Sequence, residues 1–467
     1  MADRHIVIIG GGFTGTALAI HLARLATAGL KVTVIEPREQ LAQGVAYGTR
    51  DPAHRINVPA SRMQLSAAEE GDFDRWYRAS AALKADADAQ WYDGKVYPQR
   101  GQFGAYVAAQ YAKVKAVSAA SLDHVHDRAV ALTDGDVVTQ SGQRIPADDV
   151  VLAISHPPPA VPPELAAALS GHPGLIANPW RHDALAGVAE SDRVAIIGSG
   201  LTMSDVVASL QRRGHRGRMV VFSRRGLLPQ NNLSGDFDPR PLDYTRPQQA
   251  TARAWLKRIR DEVREAAAEN LPWQLVLDDI RQNGQRIWQQ LSLKEQRRFL
   301  RHLRPWWDVH RYRIAPQVSE VLKQRQQGGQ LRVMAARLSQ VSAEGCAINL
   351  TLAPRDGEAE TLTVDRLIVT TGPAHGALLQ SDALLSQLAG EGTVQADPLA
   401  LGIHVNAASQ TLNQQGEVNP HLYVVGPAAR GRFGELMGLP QVAAHAESLA
   451  RQLLGVPPLT ARERCPA

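Results

Sequence analysis

Apolar residues along the chain fall into short, nearly unbroken runs separated by longer stretches in which they recur every three or four positions. His5 to Ile9 is a β-branched run with no polar alternation after its first residue, which predicts a strand covered on both faces. A helical pattern through Leu18, Leu22 and Leu25 follows, and then a second apolar run, Val32 to Ile35. The same order recurs at Arg193 to Ile197, at the helix after it, and at Met219 to Phe222. Asp149 to Ser155, Arg366 to Gly372 and His421 to Pro427 read as further strands closing on small residues, with a largely helical pattern from Gly434 to Leu454. Between the later strands, Gln248 to Arg301 carries Leu, Ile and Trp at three- and four-residue spacing, a helical stripe for core packing. Strands alternating with helices predict an α/β chain of parallel sheets.

The turns between these elements carry the chemistry. Gly10, Gly12 and Gly15, with Phe13 and Thr14 between them, form G-x-G-x-x-G directly after the first strand. Such a turn lets the backbone approach a pyrophosphate at a helix N-terminus. The second strand ends in Glu36, where a dinucleotide-binding strand places a carboxylate on a ribose hydroxyl. In the second copy Gly198 and Gly200 are present, followed by Leu201 and Thr202, but Met203 stands at the third glycine position. Its partner strand ends in Ser223-Arg224-Arg225 instead of an acid; guanidinium groups bind a 2′-phosphate that a carboxylate repels. The two cradles together predict FAD at the first and NADPH, with NADH as the alternative, at the second. Gly372 and Gly426 close the two returning strands and complete the set of expected cofactor contacts.

Composition changes this picture little. The 467 residues are 44% hydrophobic, 21% charged and 5% aromatic, the balance of a globular chain of several domains. The net charge is only +5, without a basic run, so neither nucleic acid nor an anionic membrane is an expected partner. Cys346 and Cys465 form no Cys-x-x-Cys pair, and His302 and His310 have no carboxylate at ligand spacing, so no metal site is expected. The N-terminal residues have no signal-peptide pattern, and the expected compartment is the cytoplasm.

Gln43 to Thr49, with Gly44 and Tyr47, followed by Asp51 to Met63, with His54, Asn57, Val58 and Met63, resembles the G-x-A-Y and H-x-x-N-V-P-A-x-x-M signature of a bacterial FAD/NAD(P)-binding family. That family includes FAD-dependent urate hydroxylases and nitrosuccinate-forming aspartate N-monooxygenases. The resemblance extends through Pro98-Gln99-Arg100, Ser223 to Pro229 and Trp307 to Arg313, and implies that the 44–63 loop wraps the FAD. His54 has two readings, a flavin contact or a loop histidine satisfied by the protein itself. More distantly, Arg224 to Pro239 is similar to a segment of flavin-dependent ornithine and lysine N-hydroxylating monooxygenases. Asp236-Phe237-Asp238-Pro239 matches the end of that motif; its asparagine has no aligned counterpart, although Asn231 and Asn232 lie close by.

The expected organisation is two Rossmann-type domains, the second inserted in the first. The FAD domain takes 1–158 and 365–467, and the NAD(P)H domain takes 159–364 with a helical insertion at about 240–318. The expected function is an NAD(P)H-dependent FAD monooxygenase that hydroxylates a small anionic nitrogen-containing substrate, a purine such as urate or an amino acid, with oxygen through a flavin C4a-hydroperoxide. The alternatives are a flavin oxidoreductase that does not oxygenate its substrate and a flavin-binding protein without turnover. Arg100, Trp307, Arg311 and Arg313 are the candidate substrate residues; Arg311 and Arg313 are equally placed to pair with the acid-rich stretch Asp261 to Glu269. Replacing both Arg224 and Arg225 with Ala is expected to raise the NADPH Michaelis constant about tenfold or more, because each charge-assisted hydrogen bond contributes about 1.5–3 kcal/mol. The NADH constant should move far less, and an unchanged preference in steady-state kinetics refutes the assignment.

Overall fold

The computed structural model describes residues 4–154, 156–244 and 249–459. Ser155, Gln248 and Cys465 of the readings above lie outside the described residues.

In chain order the first strands are β1 (Arg4–Ile9), β2 (Leu30–Ile35), β3 (Ser121–Val125), β4 (Ala129–Thr133), β5 (Asp136–Thr139), β6 (Arg144–Pro146) and β7 (Asp149–Leu152). The next are β8 (Leu175–Ile176), β9 (Val194–Ile197), β10 (Met219–Ser223), β11 (Leu331–Glu344), β12 (Ala347–Pro354), β13 (Glu360–Val364) and β14 (Arg366–Val369). The last two are β15 (Gln410–Leu412) and β16 (Val418–Val424).

The first sheet has the order β15-β16-β7-β1-β2-β3, parallel throughout except where β15 pairs antiparallel with β16. Its strands are apolar on both faces because both are covered. Ile6 and Ile8 pack with the helices Phe13–Leu25 and Gln441–Leu453, whereas Val7 and Ile9 face the β4–β6 meander and the helix Ala383–Gly390. The chain runs from β1 through a helix to β2 on one side, and β7 lies on the other, so the carboxyl end of β1 is a topological switch point, the place where open α/β sheets bind ligands.

The second sheet repeats the plan in the order β13-β12-β11-β10-β9-β14-β8. Val194 and Ile196 meet the helices Leu201–Arg212 and Pro316–Gln327, and Ala195 faces Phe222, Leu352 and Leu367. Strand β11 pairs parallel with β10 over Leu331 to Ala335 and then antiparallel with β12. Its switch point is the end of β9, between β10 and β14.

Three expectations shift. Strand β14 belongs to the second sheet, so the chain returns to the first after Val369 and not at 365. The 248–301 stripe is several helices, Ala252–Ala268, Trp273–Gln282, Gly284–Gln290 and Leu293–Arg298, continued by a π-turn and Arg304–Arg311. Asn270, with φ +59°, ends the first of these, and Pro272 caps the second. The C-terminal helix begins at Gln441, because Gly434 at φ +75° and Pro440 interrupt the chain before it.

The two sheets share one local constraint. Gly10 and Gly198 both have φ +106°, a backbone open to glycine at little cost. A Cβ on Gly10 would stand 2.3 Å from the Ala153 carbonyl oxygen, and one on Gly198 2.6 Å from that of Thr370. Gly15 is tighter still: its Cβ would lie 1.9 Å from the Gly10 carbonyl oxygen. Gly15→Ala is therefore expected to destabilise the chain by about 3 kcal/mol, the upper end of overpacking costs, read as a lowered denaturation midpoint of the ligand-free protein. An unchanged midpoint contradicts the packing argument.

Candidate functional site

Both switch points end in a helix whose N-terminus has no side-chain cap. Gly12 and Gly200 occupy the N-cap positions of Phe13–Leu25 and Leu201–Arg212, and neither helix has an acid in its first turn. The first N–H groups of such helices have no intrahelical acceptor and sit at the positive end of the dipole. The two N-cap glycines also have open space before them. A Cβ on Gly200 would meet nothing within 4 Å, and one on Gly12 would meet only Gly44 backbone at 3.5 Å and beyond. Their own packing does not demand glycine, but an anion approaching the N–H groups does. The residues present fit a pyrophosphate at each turn.

The other residues around the first turn hold it in place. Glu36 is buried and accepts hydrogen bonds from the Gly11 N–H at 2.8 Å and from the Arg38 main chain and side chain at 3.1 and 2.9 Å. Gly44 lies against Gly12, its would-be Cβ 3.3 Å from the Gly12 Cα. Phe13 and Tyr47 meet edge to face and join Phe103 in an aromatic cluster; burial pushes the Tyr47 phenol up to about 12. Val58 and Met63 pack into the same core. Gly426, at the end of β16, is pressed against the Thr14 side chain, which its Cβ would approach to 2.7 Å. The C-terminal return thereby reaches the first turn.

At the second turn Ser199 and Ser223 hydroxyls lie 2.8 Å apart, and Ser223 accepts from the Gly226 N–H. Leu201 packs on the second core. Arg224 is exposed, Arg225 is half-buried, and neither has a hydrogen-bond or ion-pair partner among the described residues. Gly372 has φ +85° and nothing within 4 Å of its would-be Cβ.

Four candidates are committed to the protein itself. The His54 ring, buried, bonds the Thr49 hydroxyl at 2.8 Å and the Ser209 hydroxyl at 3.0 Å, so the second of its two readings is the observed one. Arg100 is an ion-pair partner of Asp205 at 2.7 Å, and it also donates to the Arg55 carbonyl and the Asn57 side chain. Arg311 pairs with Glu435 at 2.9 Å, and Arg313 pairs with Asp278 at 2.9 Å and lies over Trp273. Neither arginine reaches the 261–269 helix, whose Asp261 pairs with Lys257 and Arg264. Buried guanidiniums take the nearest buried carboxylate because an unpaired charge there is costly.

His54, Arg100 and Asn57 carry the flavin-loop expectation into a different role, since they tie the 49–100 segment to the second domain. Asn232 adds to this tie, donating to the carbonyls of Asn57 and Ile314 at 2.8 Å each. Trp307 donates to Glu435 at 2.8 Å and lines a cavity of 740 Å³ between the helical insertion and residues 430–437. Asp308, Arg430 and Glu435 line the same cavity, and His375 bonds Arg430 at 3.1 Å; sequence reasoning missed Arg430, Glu435 and His375 because they are brought there from segments far from the 307–313 stretch. His156 and His375 stack edge to face at 5.4 Å, and burial holds them neutral, down to about 4 and about 3. No group of three or more potential metal ligands occurs among the described residues, and none of their helices is long and apolar enough to cross a membrane.

Residues 7–157 match a family described as FAD-NAD(P)-binding. No curated protein matches the chain. Among solved structures, the reduced ornithine hydroxylase of Pseudomonas aeruginosa is similar over 97% of this chain and 99% of that one, with 15% identity and a TM-score of 0.62. Ornithine N-hydroxylase of Kutzneria sp. 744, with reduced FAD, NADP+ and L-ornithine, is similar over 97% and 99%, with 15% identity and a TM-score of 0.59. L-lysine 6-monooxygenase of Pseudomonas syringae covers 97% and 98%, again at 15% identity and a TM-score of 0.59. At this identity the likeness is one of fold: two Rossmann-type domains in an α/β chain.

A pH dependence follows from the return strand. His445 accepts the Gly426 N–H at 3.1 Å and bonds Ser409 at 2.8 Å, and burial lowers its pKa from 6.5 to about 4. The folded state keeps this ring neutral while the unfolded chain protonates below 6.5. Stability is therefore full above pH 6.5 and is expected to fall towards pH 4 by about 1.4 kcal/mol per pH unit for such a group. His445→Gln should flatten that slope in urea titrations across this range; an unchanged slope contradicts the assignment.

Proposed function

We propose that the chain is an NADPH-dependent FAD monooxygenase acting on a small nitrogen-containing anion, an amino acid or a purine such as urate. The observation that carries the reading is the pair of uncapped, glycine-opened helix N-termini at the switch points of two sheets. One is followed by a buried carboxylate and the other by two arginines without partners among the described residues. One dinucleotide of each kind matches this pair.

In this reading the N–H groups at Gly12 to Thr14 hold the FAD pyrophosphate, and Glu36, already orienting the Gly11 N–H, meets its ribose. The N–H groups after Gly200 hold the NADPH pyrophosphate, and Arg224 and Arg225 clamp the 2′-phosphate. Held by these residues, FAD and NADPH would supply hydride-transfer and oxygen-reducing chemistry. The protein's part is positional. Arg100 and Asp205 hold the 55–57 loop against the second domain, and Asn232 fixes the main chain at Asn57, so the two cradles keep one spacing.

Similarity to ornithine and lysine hydroxylases over nearly the whole length supports an N-oxygenating reaction, and the signature from Gly44 to Met63 supports the urate- and aspartate-oxidising kinds equally. The test is a screen of purified holoenzyme with amino acids and purines, measuring NADPH oxidation, oxygen uptake and peroxide release together. A substrate should raise oxygen uptake while lowering peroxide release to a small fraction of NADPH consumed. Stoichiometric peroxide with every compound overturns the monooxygenase reading and leaves an oxidoreductase that does not oxygenate.

A further inference from the structure

The 740 Å³ cavity between the helical insertion and residues 430–437 is of the size that holds a small molecule, about 300–1,000 Å³. Its walls are apolar and aromatic. Trp255, Trp273, Trp288 and Trp307 stand on different helices around it, with Leu277 and Phe299 between them. A void lined this way is unfavourable to leave to water, and aromatic faces give a ligand large contact area at little entropic cost.

One end of the cavity is charged. Arg430 lines it, is 6% exposed, and lies just past Gly426, the glycine packed on the first cradle. Only its Nη1 has partners, the His375 ring at 3.1 Å and the Met437 sulfur at 3.0 Å, and neither is an anion. Nε and Nη2 have no partner among the described residues. The acids nearby are otherwise engaged: Glu435 by Trp307 and Arg311, Asp308 by Arg304 at 3.3 Å. Burial, with Arg304 adding to it, lowers the Arg430 pKa, as expected of a guanidinium that lacks a contacting carboxylate. Asp308 and Glu435 line the same end and act on Arg430 at longer range, but neither forms an ion pair with it among the described residues, so the free Nε and Nη2 favour a ligand that brings its own acceptors.

The wall of the cavity is secured by contacts that leave its interior open. Trp288 donates to the Gly431 carbonyl at 2.9 Å, and Arg281 donates to the carbonyl of Leu439. A Cβ on Gly434 would meet the Trp288 ring at 2.7 Å, so the insertion and the C-terminal segment fit against each other at the rim.

We infer that this cavity is the substrate site of the proposed enzyme and takes a carboxylate with a bulky aromatic or branched apolar body, its carboxylate received by Nε and Nη2 of Arg430 in a two-point contact. The assignment rests on the monooxygenase reading for the word substrate, and on the cavity alone for the binding. It narrows the class from any small nitrogen-containing anion to one whose side chain is apolar, the chemistry of most of the lining.

The experiment is isothermal titration calorimetry of the purified full-length holoprotein with 4-phenylbutyrate, its primary amide and L-ornithine as probes. The carboxylate should bind one per chain at least about tenfold more tightly than either of the others, the fold-change that one charge-assisted contact supplies. Arg430→Gln should bring carboxylate and amide to the same affinity, and Leu277→Trp, which fills the cavity from another helix, should abolish both. Circular dichroism and flavin content report whether each variant is folded. Absence of binding by 4-phenylbutyrate, equal affinity for acid and amide, tighter binding of ornithine, or unchanged affinity in a folded Leu277→Trp variant overturns the inference. Because binding needs neither NADPH nor oxygen, specific binding without substrate-coupled oxygen uptake would sink the enzymatic reading and spare the cavity. Coupled turnover without such binding would do the reverse.

Discussion

The structure turns on the electrostatics of two helix ends. At Gly12 and Gly200 the chain begins a helix directly after a parallel strand, without a Ser, Thr, Asp or Asn to satisfy the first N–H groups. A cap residue there typically contributes about 1 kcal/mol, and the chain forgoes it twice at equivalent points of two sheets. Much else in the fold serves these ends. Gly10 and Gly198 make the turn that aims them, Gly15 lets the first helix lie on its strand, and Glu36 immobilises Gly11 from the next strand. Strand β16 arrives from the far end of the chain to set Gly426 against Thr14.

A second constraint is the management of buried charge. Arginine is abundant in the helical insertion and around the loop between 51 and 100, and the fold buries several guanidiniums there. Arg55 finds Asp86, Arg100 finds Asp205, Arg311 finds Glu435 and Arg313 finds Asp278. Each pairing joins segments remote in sequence, so these contacts determine how the pieces dock more than they add net stability. Arg430 stands apart because the only groups it bonds among the described residues are an imidazole ring and a thioether.

How much of this was legible in the sequence depends on distance along the chain. The strands that border the glycine turns, the turns themselves and the order of the two cradles are local patterns, each contained within about thirty residues, and β1, β2, β9 and β10 lie within a residue or two of their expected bounds; β7 and β14 end three residues earlier than expected, β16 begins at Val418, and β3–β6, β8, β11–β13 and β15 carried no such signal. The alternation of Ile6 and Ile8 with Val7 and Ile9 between two covered faces is implicit in an unbroken apolar run. The interruption of the insertion at Asn270 and Pro272, and the late start of the last helix, were written in residues known to break helices, but the apolar period overrode them. Long-range pairing was not legible. Arg100, Arg311 and Arg313 were candidate substrate residues, with Arg311 and Arg313 equally placed to pair with the 261–269 acids, and nothing local announces that Asp205, Glu435 and Asp278 will be the carboxylates brought to them. The cavity had the same difficulty, since its walls come from one stretch and its charged end from another, more than a hundred residues later.

The cross-domain bonds of the 49–100 loop have a consequence for how the molecule moves. Two Rossmann domains joined by two chain crossings ordinarily hinge, because interfaces between domains are modest and polar. Here His54 with Ser209, Arg100 with Asp205, and Asn232 with the main chain at Asn57 place buried polar bonds across the seam. Opening it exposes donors and acceptors together with the Trp180 ring that lies beside both His54 and Arg100. Separating the halves strands several donors and acceptors at once, so the seam resists the hinge motion that domains of this kind otherwise allow.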